Sequence, residues 1–561
     1  MNSKKNMKEN VRFSNLDRSK IIQKLTKTKF DLVIIGGGIT GGGIALDAAS
    51  RGLKVALLEK RDFASGTSSK STKLIHGGLR YLKQFDFWLV KEVGSERAIV
   101  HKLAPHLVLP EKMLLPLIDG GSYGKWLTSI GLKVYDILAQ VSGDDKRKMV
   151  EKKEALELEP LLPKKKLKGA GYYAEYRTDD ARLTIENIKT SLTFGAVALN
   201  YAEVTAFDYE EDIISGLHFR DSITGDEFKI KSKYVINAAG PWVDELRSLN
   251  NSKKGKRLHL TKGVHLVFPF EKLPVRQSVY FDVPDGRMIF AIPRGKITYV
   301  GTTDTNYDQD KDNIKLDLAD ALYLISAVNN MFPKINLEMD DIISSWAGLR
   351  PLIHEEGKSA SELSRKDEIF ISDSGLISMA GGKLTGYRKM AERVVNLLSK
   401  KMEEEEGIKV PECTTDQIPL CGNDFRKYKH VKKYILEIFE RIKKDGLTEY
   451  DAWYLVTTYG KQTETILQDY SIQKEKDPHV RMAIAELHYG INYEMITSPM
   501  DFFIRRTGRL YFDIESIPLL LDRILEEFKS IFKSDDSQIL LWKEKIMQEI
   551  HEHSIFSIDR V

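Results

Sequence analysis

Three glycines, Gly36, Gly38 and Gly41, follow one another in the order G-x-G-x-x-G and commit this chain most directly to a chemistry. Between a strand and a helix, such a turn cradles a pyrophosphate. Gly36 permits the tight turn, Gly38 lets the backbone approach a phosphate, and Gly41 lets helix and strand pack closely. The N-terminus of the small-residue helix that follows adds unpaired N–H groups and the positive end of its dipole. Glu59 stands 23 residues after Gly36, where a carboxylate accepts from ribose hydroxyls. The pattern calls for a bound dinucleotide.

The elements that must position these groups are legible around them. Leu32-Val33-Ile34-Ile35 is a continuous apolar run that reads as a buried strand, Gly42 to Ser50 as a small-residue helix, and Val55-Ala56-Leu57-Leu58 as a second strand. A Ser/Thr-rich loop, Phe63 to Lys73, runs into Leu74-Ile75-His76-Gly77-Gly78-Leu79-Arg80-Tyr81. Glu92 to Lys102 reads as helix. Met113 to Ala139 is apolar and aromatic, with Trp126, Ile130, Leu132, Val134, Tyr135 and Leu138 at roughly helical spacing. Leu183 to Phe194 reads as helix, and Glu203 to Lys231 as short alternating strands around a Thr224-Gly225-Asp226 turn. Tyr234 to Ile236 is a further buried strand that ends in Asn237-Ala238-Ala239-Gly240-Pro241. His259 to Thr303 alternates as in an antiparallel sheet. Leu376 to Ala380 is a strand that meets Gly381-Gly382 and a helix from Thr385 to Lys401. The acidic run Glu403 to Glu406 and the stretch to Asp424 read as a linker, and Tyr428 to His553 as mainly helical.

At 561 residues the chain has room for two or three domains and a large core. Its 42% hydrophobic and 30% charged content is that of an ordinary globular protein, and a net charge of +4 argues for no particular partner, nucleic acid included. Met1 to Lys29 carries nine Lys or Arg against two acids and no apolar core, so it reads as a solvated, partly mobile tail rather than a secretory signal. Cys413 and Cys421 have no His or Cys neighbours at metal spacing, which points away from a metal site and towards a reducing cytoplasm. No apolar run is long enough to span a bilayer.

A nicotinamide cofactor needs only the first strand–turn–helix unit. Here three junctions of strand, small residues and helix, at Gly36, Ala239-Gly240 and Gly381-Gly382, suggest convergence on one long, enclosed ligand. That suits FAD.

The chain resembles the FAD-dependent glycerol-3-phosphate dehydrogenases. The resemblance is carried by Ile35-Gly36-Gly37-Gly38 with Gly41, Gly43, Ala45, Asp47 and Arg51-Gly52; by Ser68 to Leu82; by Trp346-Ala347-Gly348-Leu349-Arg350-Pro351-Leu352; and by Gly381 to Arg388 with Ala391. Arg505-Arg506-Thr507-Gly508-Arg509-Leu510 is similar to the family's helical cap, and the likeness covers about residues 20 to 530. Gly42 departs from the pattern, which usually has a small side chain there, and is expected to cost some helix stability.

The resemblance implies an α/β fold: a glutathione-reductase-like FAD-binding Rossmann domain, an intercalated antiparallel-sheet substrate domain and a C-terminal helical domain. The expected bounds are a basic segment over 1–29, the FAD and substrate domains interleaved over 30–400 with the substrate sheet at about 106–165 and 255–345, a linker over 401–425 and helices over 426–561. It also implies oxidation of sn-glycerol 3-phosphate to dihydroxyacetone phosphate by hydride transfer from C2 to flavin N5. Arg80, Arg350 and Arg365 would then clamp the phosphate, since guanidinium forks pair bidentately with its oxygens. Tyr81 would hydrogen-bond substrate. Lys383 would sit beside the reduced flavin and the substrate. His265 is one candidate base for the C2 hydroxyl and His76, expected against the flavin, is the other. The cofactor would touch Gly36, Gly38, Ile39, Thr40, Gly41, Glu59, Lys60, Thr67, Ser68, Ser69, Ser71, Thr72, His76, Gly77, Gly78, Leu79, Val204, Ala239, Gly240, Gly382, Lys383, Leu384 and Thr385, with no metal.

Members of the family pass electrons either to a membrane quinone or to oxygen. The oxidases carry an added insertion for which this chain has no room, which favours the quinone; the alternative is a glycerol-3-phosphate oxidase making hydrogen peroxide. The Met113–Ala139 segment reads either as an interfacial membrane contact or as a core or dimer-interface helix. The expected place is the cytoplasm, with peripheral contact on the inner face of the plasma membrane, and a homodimer is compatible with the resemblance.

Overall fold

The computed structural model describes residues 11–76, 87–121, 146–314, 316–354 and 367–554. Gly77, Gly78, Leu79, Arg80, Tyr81 and Arg365 lie outside the described residues, as do Trp126, Ile130, Leu132, Val134, Tyr135 and Leu138.

Among the described residues, two sheets organise the chain up to about residue 400. The first is built outwards from Lys29–Ile35, whose apolar run is buried on both faces, as a central parallel strand requires. Its order is Glu368–Ile371, Ile377–Ala380, Glu227–Asn237, Lys29–Ile35, Val55–Leu58, Val197–Leu199. The five strands from Ile377–Ala380 onwards are parallel. The three strands that lead into glycine junctions are therefore neighbours, with Ile35 opposite Asn237 and Asn237 opposite Ser378. The Asn237 amide ties two junctions together, donating to Ser378 Oγ at 3.2 Å and to Val243 O at 2.9 Å.

Among the described residues the second sheet has ten strands. Its long pair, Arg257–Pro269 against Ser344–His354, sets Thr261 opposite Arg350 and His265 opposite Trp346. Ile297–Gly301 flanks the other side and sets Gly301 opposite His265. This sheet also draws in Leu74–Ile75 and Leu167–Arg177, beyond the 106–165 and 255–345 ranges expected for it.

Helix Ile39–Ser50 packs on helix Asp180–Thr193, and this contact explains Gly42. A Cβ there would lie 3.2 Å from Ile188 Cγ1 and 3.6 Å from Asn187 Cβ, so the missing methyl admits close helix approach. The lost propensity is offset by packing.

After residue 407 the chain is mainly helical, from Tyr428–Ile442 to Asp536–Ser554. Buried ion pairs join this part to the first sheet's layer. Arg182 donates to Glu494 Oε2 at 2.6 Å, and Arg506 donates to both oxygens of Asp62 at 2.8 and 2.9 Å. Among the described residues no helix is long and apolar enough to cross a membrane.

Several local expectations change. Residues 12–27 are not a solvated tail: Phe13 is buried and exchanges backbone bonds with Asn492 and Met495, and helix Arg18–Lys27 buries Ile22 and Leu25. Arg18 pairs with buried Asp221. Glu403 to Glu406 is not linker but the last turn of helix Tyr387–Glu406, stopped by Gly407 at φ 68°. Met113 to Ile118 belongs to strand Leu109–Ile118 rather than to a helix, because it pairs with Leu167–Arg177. The helix read over Glu92–Lys102 runs from Phe87 to Leu103.

Candidate active site

One cavity of about 820 Å³ runs from the Gly36 turn to the face of the second sheet. At its first end, Gly36 has φ +114°, and a Cβ on it would lie 2.5 Å from Ala238 O, so both conformation and space demand glycine. Gly41 faces away from the cavity: a Cβ there would meet Gly36 O at 1.9 Å. Its role is the close helix–strand contact. Gly38 caps helix Ile39–Ser50 without a side chain, and Ser68 Oγ accepts from the Ile39 N–H at 2.9 Å. Ser68 and Thr40 line the cavity beside that N-terminus.

Glu59 is fixed by backbone donors. Its carboxylate accepts from the Gly37 N–H at 2.7 Å and the Arg61 N–H at 2.9 Å. Burial pushes its pKa up, against these backbone bonds. Lys60, Val204, Ala239 and Gly240 complete this end of the wall.

The Ser/Thr loop is pinned rather than solvated. Buried Asp180, at the start of helix Asp180–Thr193, accepts from the Ser71 N–H at 3.0 Å and from Lys73 Nζ at 2.5 Å. Thr67 Oγ1 donates to Leu349 O at 2.7 Å, and Trp346 Nε1 donates to Ser71 O at 3.1 Å. Thr67, Ser68, Ser71 and Thr72 thereby line the cavity. Ser69, 1% exposed, stays behind the wall.

At the other end the second sheet presents His265 and Arg350. The His265 ring stacks on Trp346 at 4.8 Å with 11° between planes, and Nε2 lies 2.9 Å from Thr72 Oγ1. A Cβ on Gly301 would lie 2.1 Å from His265 Cδ2, so that glycine makes room for the ring. Burial, then the nearby Arg350 and Lys73 charges, hold the imidazole well below its usual pKa, and therefore neutral. Arg350 folds over Gly263, donating to Thr302 Oγ1 at 2.9 Å and Thr303 O at 3.1 Å, with Asp304 Oδ1 at 3.4 Å.

The third junction supplies Lys383. Gly381 and Gly382 have φ of 76° and 86°, and this left-handed pair turns the chain so that Lys383 caps the short Leu384–Gly386 turn. Leu384 and Thr385 line the cavity with it, and Thr385 Oγ1 donates to His76 O at 3.2 Å. His76 also lines the cavity, 6.4 Å from the Phe290 ring.

The structure thus brings Arg350, His265, Lys383 and His76 to one cavity with the glycine cradle. It also adds Arg61, Trp242, Arg287, Thr302, Thr303 and Asp304, which the sequence reading did not single out. The small polar run Gly301-Thr302-Thr303-Asp304 after an apolar strand was the available signal for the last three. Arg61 and Trp242 had no local signal.

The wall suits FAD: a φ-positive glycine turn, a helix N-terminus, a fixed carboxylate where a ribose belongs, and hydroxyls between them. The comparisons with known proteins agree. The FAD dependent oxidoreductase family pattern matches residues 31–388, and the pattern for the C-terminal domain of alpha-glycerophosphate oxidase matches residues 413–539. The aerobic glycerol-3-phosphate dehydrogenase of Bacillus subtilis (strain 168) is 49% identical over 549 residues, 97% of this chain and 98% of that one. Its counterpart from Staphylococcus aureus (strain MRSA252) is 47% identical over 542 residues, 96% of this chain and 97% of its own. The X-ray structure of the glycerol-3-phosphate dehydrogenase from Bacillus halodurans complexed with FAD superposes with a TM-score of 0.83 at 41% identity, covering 97% of this chain and 99% of that one. Relatives this similar over nearly the whole of both chains place this chain in the FAD-dependent oxidoreductase family, among the aerobic glycerol-3-phosphate dehydrogenases.

Proposed function

We propose that the chain oxidises sn-glycerol 3-phosphate at C2 to dihydroxyacetone phosphate and passes the electrons to a membrane quinone. One observation carries this reading: a single cavity joins a dinucleotide cradle to a neutral histidine, a guanidinium and a lysine. FAD held in the cradle supplies the two-electron acceptor for a secondary alcohol.

The chain's own residues do the rest. Arg350, already oriented by Thr302 and Thr303, meets the substrate phosphate with a fork preset for two oxygens. Lys383 adds a positive charge beside the negative charge that develops on reduction. His265 takes the C2 hydroxyl proton at Nε2, the nitrogen that faces the Thr72 hydroxyl on the cavity wall. A neutral imidazole is the form required, and the incoming phosphate dianion offsets the Arg350 and Lys73 charges that depress its basicity. Arg80 and Arg365 are proposed to complete the phosphate clamp, and Tyr81 to hydrogen-bond the substrate. Quinone use places the working enzyme against the inner face of the plasma membrane, as a peripheral protein.

The test is anaerobic. Glycerol 3-phosphate should bleach the visible flavin band of the purified protein, while glycerol should not. Reoxidation should then be fast with a quinone analogue and slow with air. Persistent colour with glycerol 3-phosphate overturns the dehydrogenase reading, and fast reoxidation by air alone would make the protein an oxidase.

A further inference from the structure

The connection from strand Thr305–Asn306 to helix Leu318–Met331 leaves the second sheet and reaches the nucleotide end of the cavity. Its turn is braced internally: the Tyr307 hydroxyl donates to Asp310 O at 2.7 Å, and the Asp312 N–H donates to Asp310 Oδ1 at 2.8 Å. From that turn the Asp312 carboxylate crosses to the first sheet's layer. It accepts from Trp242 Nε1 at 2.7 Å and from the Arg61 guanidinium, and it pairs with Lys60 Nζ at 3.5 Å. Lys311 adds an ion pair with Glu245.

Trp242, Arg61, Lys60 and Glu245 all line the cavity that Glu59 also lines. The Trp242 ring has the Lys60 ammonium 4.9 Å and the Arg61 guanidinium 5.2 Å from its centroid, and it packs over Gly66. One carboxylate thus ties two partly exposed cations and an indole edge into one arrangement. An arginine, a lysine and an indole held in one arrangement lose less entropy when a ligand arrives than three mobile side chains do.

We infer that Asp312 is a positioning residue for the ADP half of FAD, fastening Lys60, Arg61 and Trp242 as a fixed wall over that end and slowing the cofactor's escape. The inference rests on the FAD reading of the cavity. It assigns the connection a role that neither the glycine cradle nor the substrate end of the site requires.

The experiment measures FAD release from the purified holoenzyme as the rise in flavin fluorescence after dilution. Asp312→Asn keeps the shape and removes the charge, and should release FAD about tenfold faster. Asp312→Glu should stay near native. Trp242→Phe removes one donor without touching the ion pairs, and should release FAD faster than native but more slowly than Asp312→Asn. Rising salt should speed release from native protein and have little effect on Asp312→Asn, because the contacts are half-exposed charges. Native-like release from both Asp312→Asn and Trp242→Phe, with yellow protein of native circular dichroism, overturns the inference and leaves the FAD reading intact. Native protein that is colourless and takes up no FAD overturns both.

Discussion

Gly263→Ala tests whether Arg350 works through its orientation. Gly263 sits in the long strand pair beneath the Arg350 side chain, and an added Cβ would lie 2.3 Å from Nη2 and 2.6 Å from Cζ. Neither separation is tolerable, so the guanidinium must move by roughly 1 Å to restore van der Waals contact. That movement removes the bonds to Thr302 Oγ1 at 2.9 Å and Thr303 O at 3.1 Å, which aim the fork into the cavity. A misdirected charge-assisted pair forfeits about 1.5–3 kcal/mol of its interaction with the phosphate. The expected loss in kcat/KM for glycerol 3-phosphate is therefore about 10- to 100-fold, most of it in KM. The displaced group is the end of a flexible side chain at a half-exposed position, so the melting temperature and FAD content should stay close to native. Steady-state kinetics with an artificial electron acceptor, alongside thermal melts and flavin spectra, provide the readout. Native kcat/KM in Gly263→Ala, together with a large loss in Arg350→Ala, would show that the charge matters but its aim does not. Native values in both would remove Arg350 from the site altogether.

Two predictions concern the helical half and its seam with the rest. His488 bridges helices through Asp469 at 2.9 Å and Glu527 at 3.2 Å; burial opposes its charge, but these bonds outweigh burial and push its pKa up to about 9. The folded state therefore binds this proton more tightly than the unfolded chain. The shift corresponds to about 3 kcal/mol, which solvent screening at this partly exposed position reduces to about 2 kcal/mol; that stability should be fully present below the ordinary histidine pKa and lost as pH rises through about 9. Urea titrations between neutral pH and the upper limit should show this decline in native protein and not in His488→Gln; equal declines would refute the bridge. At the seam, burial acts to raise the Asp62 pKa, but Arg506 and Arg505 outweigh it and hold the carboxyl at about 2. Asp62→Asn should leave two buried guanidiniums short of countercharge and cost about 3–5 kcal/mol, read as an earlier thermal transition. An unchanged melt would mean that the seam holds without them.

The cradle was legible because its requirements are local. A run of branched apolar residues, a glycine that must take positive φ and a small-residue helix are properties of consecutive residues, and so is the placement of Glu59 at the next strand end. Arg350, His265 and Lys383 were legible at one remove, through short motifs, and the pairing of Arg257–Pro269 with Ser344–His354 is what carries two of them to the same cavity. The Arg505-Arg506 motif was legible as a pattern but not as a purpose. Only the fold shows that these arginines meet Asp62, 443 and 444 positions away in the chain.

What the sequence by itself determined is the set of strands and turns whose backbone conformation admits few residue types, and hence the nucleotide half of the site. What only the tertiary structure decided is the state of the side chains. Burial between Trp346 and Gly301 makes His265 neutral, Asp180 pins the Ser/Thr loop in place, Ile188 gives Gly42 a reason, and Asp312 grips residues from another layer. The physical reason is the same in each case. Desolvation and charge pairing depend on distances between residues far apart in the chain, and no local pattern encodes those distances.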